Sequence, residues 1–75
     1  MKENEIHIGN LIKKKLKENG QTITWLSKKV HKEYSCLYKS LYKKDIETDL
    51  LISISIALKF NYFTLYSEFI ENKIN

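Results

Sequence analysis

Thirteen lysines and no arginine carry the fixed positive charge of this 75-residue chain. Eleven of the lysines fall in residues 1–44 against four acids (Glu3, Glu5, Glu18 and Glu33), so this part carries +7. Residues 45–75 hold two lysines against Asp45, Glu47, Asp49, Glu68 and Glu71, for −3. Such a split suggests that one face meets a polyanion, with nucleic acid the first candidate, while the other half keeps its own structure or meets a protein. A plainer reading suits Lys13, Lys14, Lys15 and Lys17, the densest basic run, as the solvated outer face of one helix. The sequence offers no His-carboxylate-nucleophile set, no paired carboxylates at a credible spacing and no Gly-rich phosphate loop, so neither an enzyme nor a cofactor is expected. Cys36 is the single cysteine and has no internal disulfide partner, and His7 and His31 are too few for a usual metal site.

These side chains need a scaffold, and the length limits it to one domain, 1–75, in which about 60% of the unfolded surface is buried on folding. A hydrophobic fraction of 43% and a charged fraction of 29% are ordinary for a folded domain. No apolar run approaches membrane-spanning length, and no signal peptide opens the sequence, so no membrane contact and a cytoplasmic location are expected. With no proline and only Gly9 and Gly20 as breakers, helices should dominate.

The apolar spacing predicts five of them. Ile8, Leu11, Ile12 and Leu16 mark helix 1, from about Ile6 to Asn19, with Asn19-Gly20 as its left-handed stop. Thr22 caps a short helix 2 with Leu26, Ser27 and Val30 inward, closing near His31. Leu37 and Leu41 define helix 3 over Ser35 to Tyr42, followed by a polar Lys43-Lys44-Asp45 loop. Thr48 caps helix 4, whose inner stripe is Leu51, Ile54, Ser55 and Leu58, and Asn61 caps helix 5 over Tyr62 to Ile70. Residues 50–58 are apolar nearly all round. Leu50, Ile52 and Ile56 therefore need further cover, for which Phe63, Leu65, Tyr66, Phe69 and Ile70 of helix 5 are available.

Residues 22–42 are the informative segment. Two short helices meeting steeply need a small residue at their approach, apolar neighbours and a permissive turn, and here Ser27, Leu26, Val30, Leu37 and His31 stand at those positions. The sequence resembles the lambda-repressor-like (Xre-type) helix-turn-helix family over about Ile8 to Tyr66. The likeness is carried by Ile8-Gly9, Asn19-Gly20, Thr22, Leu26-Ser27, Val30, Leu37, the run Leu51 to Leu58 and Asn61. It departs at His31, where the family usually has glycine, at Lys32 and Ser40, where apolar residues are usual, and at Ile23, where a polar residue often touches the DNA backbone.

The resemblance implies a compact five-helix all-α fold and a small bacterial or phage-type transcriptional regulator that binds double-stranded DNA. The third helix would enter the major groove with Tyr34, Ser35, Tyr38 and Lys39 toward the bases. Thr22 and Lys28 on helix 2, with Lys43 and Lys44 after helix 3, would meet phosphates. Without arginine, base readout should be modest and phosphate contact dominant. Tyr34 and Tyr38 would equally stabilise the helix as a surface aromatic pair. Cys36 is expected to be half-buried packing, and Trp25 either packs under a loop or reaches the DNA backbone.

Two readings of region 50–70 stay open. Ile52, Ile56, Phe60, Phe63, Tyr66 and Phe69 either form a contact surface for a homodimer or protein partner, or are consumed when helix 5 folds over helix 4. An alternative function is a protein-interaction module, an antitoxin or adaptor, that uses the helical scaffold to dock a partner. The sequence indicates no small-molecule effector site.

Overall fold

His7 closes the first helix through its imidazole. In the computed structural model, which describes residues 7–43 and 45–74, Nδ1 of His7 accepts from the Asn10 N–H at 3.2 Å, and this fixes the ring proton on Nε2. That N–H donates to the Tyr42 carbonyl oxygen, also at 3.2 Å, and so ties the start of α1 (Ile8–Glu18) to the end of α3 (Tyr34–Tyr42). The expected start of α1 at Ile6, and Lys44, lie outside the described residues.

Three helices stop in the same way. Gly20 takes a left-handed φ of 68°, and the Gln21 N–H bonds back to the Leu16 carbonyl at 2.8 Å. After α2 (Ile23–Lys29), His31 does the same at φ 58°, with the Lys32 N–H on the Ser27 carbonyl. After α4 (Thr48–Leu58), Lys59 repeats it at φ 55°, with the Phe60 N–H on the Ser55 carbonyl. The backbone form is common to all three although only one residue is glycine. His31 adopts this left-handed turn at the conformational cost that a side chain bears there.

Thr22 caps α2 as expected, its Oγ1 accepting from the Trp25 N–H at 3.0 Å. Thr48 does not cap α4. The Glu47 carbonyl already accepts the first helical bond, from Leu51, so the helix begins one residue earlier and Thr48 lies inside it. Asn61 Oδ1 accepts from the Phe63 N–H, and α5 (Phe63–Ile74) runs one turn beyond the expected end at Ile70. No strand occurs among the described residues, and no single described helix is long and apolar enough to cross a membrane. Between α4 and α5 the chain bends by 116°.

The core unites Ile8, Ile12 and Leu16 of α1, Leu26 of α2, Leu37 and Leu41 of α3, Leu50, Leu51, Ile54 and Leu58 of α4, and Tyr62. At Gly9 the α1 and α3 backbones approach directly, and a Cβ there would collide with the Leu41 carbonyl. Several burial expectations are refined or corrected. Leu50 is buried, whereas Ser55 is half-buried and uses its Oγ to accept from the Tyr62 N–H at 3.4 Å. Val30, expected on the inner face of α2, caps it and packs half-buried against the core. Cys36 is exposed, because burial of Leu37 and Leu41 turns its side of α3 outward. Helix α5 does not cover the surplus of α4, for none of its residues is fully buried. Tyr62, in the turn before it, enters the core instead.

Candidate nucleic-acid interface

Helix α3 is short and is gripped from one side. Leu37 and Leu41 are wholly buried, and α3 packs chiefly on α1 and α2. The flank beside them carries Tyr34, Ser35, Tyr38 and Lys39, all exposed. At 100° per residue these four, with Tyr42, span about 140° of the helix circumference, one continuous face. The residues expected to act together therefore do share a side.

The tyrosines are ordered among themselves. Rings of Tyr34 and Tyr38 stack at 5.8 Å between centroids and 12° between planes, and Tyr38 meets Tyr42 edge-on at 4.9 Å and 80°. Both separations lie in the range where aromatic pairs attract. The Tyr38 and Tyr42 hydroxyls are hydrogen-bonded at 2.9 Å. That bond, then the nearby Tyr42 charge, raises the Tyr38 hydroxyl above its ordinary pKa. Sequence reasoning missed Tyr42, although tyrosines at 34, 38 and 42 form an unbroken i, i+4, i+8 series. Lys13, read as part of a solvated face, instead has its ammonium 4.4 Å from the centre of the Tyr42 ring.

Thr22, Lys28 and Lys43 are exposed, and the cap bond occupies one lone pair of the Thr22 hydroxyl while leaving its hydrogen free. Of the basic run on α1, Lys14 and Lys17 are solvated as expected, whereas Lys13 and Lys15 are half-buried over Tyr42 and Phe60. Trp25 packs partly buried against the core with Lys29 over its ring, and Ile23 also packs inward. Ser40 donates to the Cys36 carbonyl within α3. Among the described residues no three histidine, cysteine, aspartate or glutamate side chains gather where they could share a metal ion.

The six residues assigned to a contact surface divide. Ile52, Ile56, Phe60 and Phe63 are exposed and line one open hollow of about 400 Å³ with Ser55, Lys59 and Asn61. Ile56 is 72% exposed at its edge. Tyr66 instead leans back on the core, where burial first and Asp45 second push its hydroxyl pKa up. Phe69 is half-buried beneath the Lys73 ammonium.

No protein-family model, curated protein or solved structure matches this chain.

Proposed function

We propose that this chain is a DNA-binding domain of the lambda-repressor-like helix-turn-helix type, acting as a small transcriptional regulator. In this reading α2 and α3 are the paired helices, joined through the left-handed His31, and α3 enters the major groove. One observation carries it. A short helix fixed by two fully buried leucines holds Tyr34, Ser35, Tyr38 and Lys39 exposed on a single face, within the half of the chain that carries +7. Ser35 and Lys39 supply donors to base acceptors, the tyrosine rings meet sugar or a thymine methyl, and Thr22, Lys28, Lys43 and Lys44 bind phosphates.

Selection of bound sequences from random duplexes, repeated with Tyr34→Ala and Lys39→Ala, tests this reading. Altered base preference supports α3 as the reader. Wild-type protein that selects nothing and shows no affinity for duplex overturns it.

The apolar hollow supports a second copy of the chain as neighbour. Ile56 is exposed and itself lines the hollow, so a twofold pairing would bury the two apolar recesses against each other. Sedimentation should show dimers that Ile56→Asp converts to monomers. A monomeric wild type, with an unrelated protein co-purifying through Phe63, would instead favour the docking-module reading.

A further inference from the structure

Lys13 and Tyr42 lie on different helices, and neither belongs to the α2–α3 pair's expected contact set. Lys13 is half-buried on α1 with its ammonium 4.4 Å from the centre of the Tyr42 ring, at the C-terminal end of α3. Tyr42 is 59% exposed, so the site where Lys13 meets it is open to solvent on the Tyr42 side. The hydroxyl pair has a fixed count of donors. One O–H is spent in the bond between Tyr38 and Tyr42, and one remains to be offered outward. A ring face holds the ammonium without neutralising it, as a carboxylate would, and it restricts an otherwise mobile lysine. The His7 N–H on the Tyr42 carbonyl locks this end of α3 to α1, so the two contributing helices hold their relative position.

We propose that Lys13 and the Tyr38–Tyr42 hydroxyl pair form one phosphate clamp, which takes a phosphodiester group of duplex DNA at the C-terminal end of α3. This rests on the DNA-binding reading above. The free O–H and the ammonium donate to two oxygens of a single phosphate, and exposed Lys43 follows directly in the chain. Because the clamp joins α1 to α3, it sets how deeply the recognition helix sits in the groove. It carries no base information.

The test uses the full chain and a fluorescent duplex of the preferred sequence, titrated over a series of salt concentrations. Lys13→Gln should weaken binding to all duplexes alike and reduce the log–log salt slope by about 1, and Lys13→Arg should restore the slope. Tyr42→Phe keeps the ring and removes only the hydroxyl. The double variant Tyr38→Phe/Tyr42→Phe, which leaves no O–H to donate, should weaken all duplexes evenly, by about 10- to 100-fold for a lost charge-assisted bond, whereas Tyr42→Phe alone frees the Tyr38 hydroxyl and should return its ultraviolet titration toward that of a free tyrosine. Thermal melts of the variants confirm that each is folded. An unchanged slope in Lys13→Gln, or unchanged affinity in the double tyrosine variant, overturns the clamp. If Lys39→Ala still alters binding in either case, the DNA-binding reading stands without it; if wild-type protein ignores duplex altogether, that reading falls first.

Discussion

Helices α3 and α5 are treated oppositely by the fold. Nine-residue α3 buries Leu37 and Leu41 completely, meets the α1 backbone at Gly9 and is anchored at its last residue by His7. Twelve-residue α5 buries nothing fully and is held by Leu65 and Tyr66 leaning on the core and by Tyr62 just before it. Length alone does not make a helix well fixed, since most helical stability comes from packing one face. The difference assigns distinct tasks. Under the proposed reading, polar and aromatic groups on the firmly packed α3 would meet a fixed target such as a duplex, whereas the exposed apolar groups of α4 and α5 would meet an apolar neighbour.

The largest effect expected from this contrast is in stability. Leu37→Ala removes a fully buried side chain and should cost about 3 kcal/mol, while Ile70→Ala on the exposed side of α5 should stay within about 0.5 kcal/mol. Urea unfolding of both variants reads the difference directly, and equal losses would abolish the contrast. Gly9→Ala comes next, at about 2 kcal/mol, because α1 and α3 must separate to admit a methyl against a backbone carbonyl.

Alkaline pH probes the point where α5 joins the body. The Tyr62 hydroxyl is buried without a hydrogen-bond partner, and that burial, with Glu18 nearby, pushes its pKa up to about 12. An unfolded tyrosine ionises near about pH 10. Between these values the unfolded chain loses its proton first, so the stabilising contribution is whole below about pH 10 and is lost as pH rises toward 12. Denaturant unfolding on either side of pH 10 should show this decline in wild-type protein and a shallower one in Tyr62→Phe. At neutral pH that substitution should be close to neutral or stabilising, since it deletes an orphaned hydroxyl. The smallest effect is at His31. Glycine there relieves a left-handed side chain and should raise stability by up to about 1 kcal/mol, read as a higher midpoint in a thermal melt.

How much could be read from the residues follows the same division. Helices α1 to α3 were legible because their apolar positions recur at helical spacing amid lysines, and Gly20 and Thr22 are strong stop and start residues. The exposed face of α3 followed from the inward pair Leu37 and Leu41. Region 50–58 was harder, since an all-round apolar sequence has no periodic contrast: it could not show that Leu50 turns in while Ile52 and Ile56 turn out. Tyr62 was hidden for a related reason. It lies outside both helices, where no spacing rule applies, and only the 116° bend brings it over the core. The Lys13–Tyr42 contact joins residues distant in sequence, and only the α1–α3 packing at Gly9 creates it.

The affinity of wild-type protein for its selected duplex, measured across a range of salt concentrations, tests the central claim most directly. The account predicts a straight log–log plot with a slope of about −4 to −6 per protomer, as several lysines displace counterions from phosphates. A plot without slope, or no binding at the lowest salt, would contradict it.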